Sequence, residues 1–258
     1  NIRGNDGTVI WNSRRAVGSV LEKRVNKMVR SEEMYRQCLM TGTLLASLLA
    51  FFSPLQERVN AQSAREFVPV TDAMLQNPAP EDWLMWRRTL DSWGFSPLDQ
   101  INRENVSELR LVWSRALGPG TQQGTPLVYG GVMYMPNPRD LIQAIDAVEG
   151  DLIWEYRRSR PDDLADYMMA GLLDHNRNLA IYGSQIIDTS GDDYVFALDA
   201  MTGGLTWETQ ILDYKINPAH QTSGPIIANG KVISGRGCLP RGGPDACVIT
   251  AHDANTGK

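Results

Sequence analysis

An all-β fold assembled from repeats, of the β-propeller kind, is what this sequence predicts, and three observations carry that reading. One motif occurs three times, its alanines at 144, 197 and 251 standing 53 and 54 residues apart, a period typical of propeller blades and longer than that of helical repeats. A glycine turn between apolar strands precedes every copy. Tryptophan outnumbers phenylalanine, seven to five, so the architecture uses a large flat ring repeatedly.

The motif runs Ala144-Ile-Asp-Ala-Val-Glu-Gly-Asp-Leu-Ile-Trp154, then Ala197-Leu-Asp-Ala-Met-Thr-Gly-Gly-Leu-Thr-Trp207, then Ala251-His-Asp-Ala-Asn-Thr-Gly-Lys258. Asp146, Asp199 and Asp253 begin turns that Gly150, Gly203 and Gly257 close, because aspartate caps a turn and glycine tolerates positive φ. Trp154 and Trp207 follow four residues after their glycines, and one ring per blade suits the task of covering the next blade's backbone. Upstream, Leu127-Val-Tyr-Gly130, Ala180-Ile-Tyr-Gly183 and Ile227-Ala-Asn-Gly230 read as tight hairpins. From hairpin glycine to motif alanine is 14 residues in two copies and 21 in the third. The third copy therefore carries a seven-residue insertion between Arg236 and Cys247. Helical periodicity is nearly absent after Gln100, and Leu109, Leu111, Trp113 and Leu117 alternate with polar residues as a strand does.

A chain of 258 residues, 42% hydrophobic, can bury a real core. Its net charge of −5 gives no footprint for nucleic acid, and the short basic run Arg157-Arg158-Ser159-Arg160 reads as a solvated loop. Arg30 and Arg36 precede an apolar stretch from Cys38 to Phe52, broken by Ser53-Pro54. That length fits a helical signal-peptide core and is short for a bilayer span, so no stable membrane anchor is expected; an uncleaved anchor is the plainer alternative. Val59-Asn60-Ala61 places cleavage before Gln62, with cleavage after Ala64 second, and predicts a periplasmic protein. No Met precedes Met28, so translation is expected to start at Met28 or Met34. The resulting division is a spurious upstream extension plus signal peptide over 1–61, a linker over 62–81 and a propeller portion over 82–258.

Export would remove Cys38 and leave Cys238 and Cys247, which can pair only with each other; two free thiols are the other possibility. His175, His220 and His252 are scattered singly, which supports no transition-metal site.

The opening residues Asp82-Trp83, Phe95-Ser-Pro-Leu-Asp-Gln-Ile-Asn102, Asn105-Val106, Leu109 and Trp113, followed by Gly124-Thr-Pro-Leu-Val128 and the Ala-x-Asp-Ala-x-Thr-Gly-x-x-x-Trp motif, resemble the pyrroloquinoline quinone (PQQ) dependent alcohol and glucose dehydrogenases. The resemblance covers residues 82–258. It implies about three blades from the N-terminal part of an eight-bladed propeller, and a periplasmic enzyme oxidising alcohols or aldoses. It implies PQQ bound at the centre, a Ca²⁺ ion polarising the quinone, and a catalytic aspartate in later blades, so that no catalytic residue is expected in this portion and the portion alone is inactive. The partners implied are a small alcohol and a cytochrome c acceptor. By position, Arg177 resembles the family's cofactor-binding arginine and Thr222 a cofactor-binding threonine, while Gln123 stands where a cofactor-binding glutamate is usual. A guanidinium is the natural partner of a buried carboxylate. Two departures are visible: Leu172-Leu173 replace the adjacent cysteines that many members place against the quinone, and the metal-binding glutamate expected after Thr222 is absent, with Asp245 the one oxygen donor nearby. A non-catalytic scaffold like the outer-membrane assembly lipoprotein is the alternative, disfavoured because no cysteine follows the signal core before Cys238.

Overall fold

Antiparallel sheets succeed one another along the chain, the first two wound in simple up-and-down order. The structure, a computed structural model, describes residues 66–168, 172–238 and 244–258; the expected signal peptide and its cleavage site lie outside them. The first sheet is β1 (Leu127–Tyr129), β2 (Val132–Asn137), β3 (Leu141–Asp146) and β4 (Leu152–Arg157). The second is β5 (Ala180–Tyr182), β6 (Gln185–Thr189), β7 (Tyr194–Asp199) and β8 (Leu205–Gln210). A separate two-stranded pair is formed by β9 (Ala219–His220) and β12 (Gly237–Cys238), and the third sheet comprises β10 (Ile226–Ala228), β11 (Lys231–Gly235) and β13 (Ile249–Asp253). Two short α-helices, α1 (Asp72–Gln76) and α2 (Leu164–Tyr167), and two 3-10 turns, Val106–Glu108 and Pro244–Ala246, complete the elements of the described residues. No helix among them is long and apolar enough to cross a membrane.

The hairpin register corrects the repeat alignment by one residue. Tyr129 pairs with Val132, Tyr182 with Gln185 and Ala228 with Lys231. The two-residue turns are thus Gly130-Gly131, Gly183-Ser184 and Asn229-Gly230, and Asn229, at φ 50°, is the counterpart of Gly130 at 57° and Gly183 at 55°. Asparagine tolerates the left-handed region nearly as glycine does, which is why counting glycines alone misplaced the third turn.

Each motif closes in the same way. Asp146 Oδ1 accepts from the N–H of Val148 and of Glu149, Asp199 from Met201 and Thr202, and Asp253 from Asn255 and Thr256. The N–H of Gly150, Gly203 and Gly257 then returns to the carbonyl of its aspartate. A Cβ on Gly203 would stand 2.6 Å from the Trp154 ring, and one on Gly257 would stand 2.5 Å from the Trp207 ring. The glycine is required because the preceding sheet's tryptophan lies flat on it.

Trp113 makes the same contact one step earlier. A Cβ on Gly150 would meet its ring at 2.6 Å, and its Nε1 donates to Ala147 O at 3.2 Å, as Trp154 Nε1 donates to Ala200 O at 3.0 Å. Residues 109–117 were expected as a strand, yet they pair with no strand among the described residues, and Leu111 and Val112 are 84% and 82% exposed. Alternation reflects an outer-strand pattern; a ladder also needs a neighbouring edge.

The core lies between the sheets. β3 and β7 are buried on both faces, as strands covered from both sides are, whereas the outer β4 and β8 are mostly exposed. The stretch before the first sheet joins this core. Val70 exchanges backbone bonds with Gly183, Tyr182 Oη donates to Asp72 Oδ2 at 2.9 Å, and Val70 and Leu75 are buried.

Candidate functional site

The segment entering the first strand of each sheet is where the expected site residues meet. Gln123 and Thr222 stand four residues before β1 and β10, and Arg177 stands three before β5. Arg177 Nε donates to Gln123 Oε1 at 2.8 Å, while its Nη1 donates to both the hydroxyl and the carbonyl of Thr222. One half-buried guanidinium thus bridges contributions from three successive sheets. The segments are also tied through their backbones. Thr125 N donates to Arg177 O at 2.8 Å and Asn178 Nδ2 to Pro225 O at 3.2 Å. Gly224 lies so close that a Cβ there would fall 1.9 Å from Asn178 O, so this position admits only glycine.

Leu172 and Leu173, in place of the cysteine pair, line a small cleft with Met168, Gly191, His220 and Gln221. His220 Nδ1 and Gln221 Nε2 are buried there without a hydrogen-bond partner. Unmet buried polar atoms are costly, and these two sit immediately before Thr222. The start of the inserted loop is fixed beside them, with Gly237 paired to His220 and Cys238 to Ala219. Asp245 is exposed in a 3-10 turn (Pro244–Ala246), and no cluster of carboxylate, cysteine or histidine side chains able to hold a metal ion occurs among the described residues.

The basic run is not a solvated loop. Arg158, with its side chain 9% exposed, binds Asp192 through two nitrogens at 2.9 and 3.0 Å and Glu208 at 2.7 Å, crossing from the first sheet to the second. Arg160 pairs with buried Asp140 at 2.7 Å and donates to Leu173 O. From the third sheet, Arg236 reaches Asp193 at 3.0 Å and Tyr194 O at 3.1 Å. The Arg236–Asp193 pair is fully enclosed, the two side chains 0% and 1% exposed. Burial holds Asp193 above the ordinary carboxylate range and Arg236 below that of a free guanidinium. Nothing local announced this network, because its partners lie in neighbouring repeats.

Successive antiparallel sheets, each tryptophan laid on the next sheet's glycine turn, are those of a tryptophan-docked β-propeller. The chain matches the family model for the glucose/ethanol/alcohol dehydrogenase PQQ β-propeller domain over residues 83–258, and it belongs to that family. It is 34% identical, over 85% of its own length and 30% of the relative's, to the dehydrogenase subunit of the quinone alcohol dehydrogenase of Komagataeibacter europaeus. It is 33% identical over 62% of its length, and 23% of the relative's, to the 1-butanol dehydrogenase (cytochrome c) of Thauera butanivorans. The solved quinohemoprotein alcohol dehydrogenase ADHIIG of Pseudomonas putida HK5 superposes with a TM-score of 0.66 at 33% identity, covering 75% of this chain and 28% of that one. The chain thus spans less than a third of each of these relatives.

Proposed function

We propose that this chain is the N-terminal part of a periplasmic quinoprotein dehydrogenase that oxidises alcohols, or aldoses, with PQQ. The observation that carries the reading is the convergence of Arg177, Gln123 and Thr222 from three successive sheets. PQQ is a tricarboxylate, and a guanidinium flanked by an amide and a hydroxyl is a fitting receptor for one carboxylate. When bound, the quinone accepts the two electrons of the alcohol. The residues of this chain bind and orient it, and the Leu172-Leu173 cleft offers an apolar face that excludes water. Carboxylates for a Ca²⁺ ion are not gathered among the described residues. The proton-accepting aspartate belongs to other blades, and this portion alone is inactive. A cytochrome c is the acceptor suggested by the butanol-oxidising relative.

In the complete enzyme, Arg177→Ala is expected to raise the PQQ dissociation constant roughly tenfold to a hundredfold, matching the ~1.5–3 kcal/mol of a hydrogen bond to a charged group. An unchanged constant in an otherwise active enzyme would reduce Arg177 to a loop residue.

The periplasmic reading rests on the signal-like apolar stretch and on the inserted loop, in which Cys247 is disulfide-bonded; Cys238 is the partner proposed for it. Non-reducing peptide mapping of exported protein is expected to give a first peptide starting at Gln62 or Arg65 and a Cys238–Cys247 crosslink. Retention of Cys38, or alkylation of both remaining thiols, would overturn the compartment and the pairing respectively.

A further inference from the structure

Adjacent residues of an extended segment send their side chains to opposite sides, so only one of Asn176 and Arg177 can face the site. Before β1 and β10 the residue four positions ahead of the strand, Gln123 or Thr222, meets the Arg177 guanidinium. Asn176 holds that same position before β5, yet it is 5% exposed and faces its own sheet. Its amide donates to Asp188 Oδ2 at 2.6 Å, and Asp188 Oδ1 accepts from the N–H of Thr189 at 2.7 Å.

We infer that Asp188 is a positioning residue for Arg177: by pinning Asn176 into the sheet, it turns segment 176–178 so that the guanidinium faces Gln123 and Thr222. This inference rests on reading Arg177 as a quinone ligand. Its geometry is that of a third tether. The bond from Thr125 N to Arg177 O and that from Asn178 Nδ2 to Pro225 O fix the segment to the sheets on either side. Two ties of that kind leave rotation about the line joining them, and the bond to Asp188, running into the segment's own sheet, removes it.

The fold does not itself call for a carboxylate at this place. The strand registers put Met135 and Ser234 at the matching points of β2 and β11, neither of them charged. Burying a carboxyl group without full compensation costs several kcal/mol, and Asp188 is completely buried. Burial, with the charge of Asp140 adding to it, pushes its pKa up to about 8, against the opposing effects of the hydrogen bonds from Thr189 and Asn176 and, less, of the Arg236 charge. A group so costly, whose one side-chain partner is the residue before Arg177, is explained by what it does to that segment.

The test uses hydrogen exchange on this 258-residue chain, which needs no bound quinone, and quinone titration of the complete enzyme. Asp188→Asn retains one acceptor oxygen where two donors converge, and is expected to speed exchange of the peptide spanning 175–179 at least tenfold while β5 to β8 stay protected. Asn176→Ala is expected to give the same increase, and the double variant no more than either, since both remove one tether. In the enzyme, Asp188→Asn is expected to weaken PQQ binding about tenfold, and to have no further effect in an Arg177→Ala background. Unchanged exchange at 175–179, additive single variants, or an equal loss of affinity with and without Arg177 would each overturn the inference. Should Asp188→Asn lose protection throughout, the Asn176→Ala exchange pattern decides alone. A parent enzyme that binds no PQQ defeats the quinone reading, while the exchange result still judges the tether.

Discussion

Trp154→Ala is expected to lower the unfolding free energy of the Arg65–Lys258 unit by about 3–5 kcal/mol, the usual cost of removing a large buried aromatic. Trp154 is 8% exposed, lies on Gly203, and stands 6.0 Å, centroid to centroid, from Tyr134. Its Nε1 and the Tyr134 hydroxyl both donate to the carbonyl of Ala200, so the substitution opens a cavity and strips a buried acceptor of one donor at the junction of two sheets. Trp207→Ala is expected to cost less, because that ring is only half-buried and its Nε1 bonds to Gln185 Oε1. Urea denaturation of the two variants measures the difference. If Trp154→Ala unfolds within about 1 kcal/mol of the parent, tryptophan docking does not hold the first two sheets together.

The docking was legible in the sequence because each half of it is local. An aspartate, a glycine four residues later and a tryptophan four beyond that fit inside one turn and one strand, so the repeat displays them side by side. Gln123, Arg177 and Thr222 were picked out by resemblance to the quinone dehydrogenases and not by any local pattern, and only the structure shows that they stand at nearly the same offset before β1, β5 and β10. What stayed hidden is what the repeats do to one another. Arg158 and Arg160 look like a solvated basic run until Asp192 and Asp140 arrive from other turns, and Asp188 looks like any polar residue in a strand until its burial is known. The central strands β3 and β7 show no alternation because both faces are covered, so periodicity gives no sign of their depth. Residues 109–117 failed in the opposite sense, their pattern announcing a strand whose pairing edge is absent from the described residues.

Stability is expected to fall as the pH rises from 5 to 9, the reverse of what carboxylates in ordinary salt bridges produce. Burial, reinforced by Asp140, raises Asp188 to about 8, and burial likewise raises Asp193, with Arg236 opposing and Asp192 adding. In the unfolded chain both titrate near the ordinary value of about 4. Between that value and the folded one the native state binds more protons than the unfolded state, so the derivative of unfolding free energy with pH is negative. The stabilising contribution is complete below pH ~4, declines through neutrality and is lost above the folded pKa. Each such proton is worth about 1.4 kcal/mol per pH unit, so even one carboxyl group produces a decline of several kcal/mol across this window. Exposed Asp163 and Asp253, which their neighbours hold below the usual range, act with the opposite sign, and only in acid. Urea midpoints taken at unit intervals of pH are expected to drop steadily for the parent and less steeply for Asp188→Asn, which cannot ionise. A midpoint that stays level or rises between pH 5 and 8 would mean that Asp188 is ionised in the folded protein, its charge met by Arg236 across the buried network.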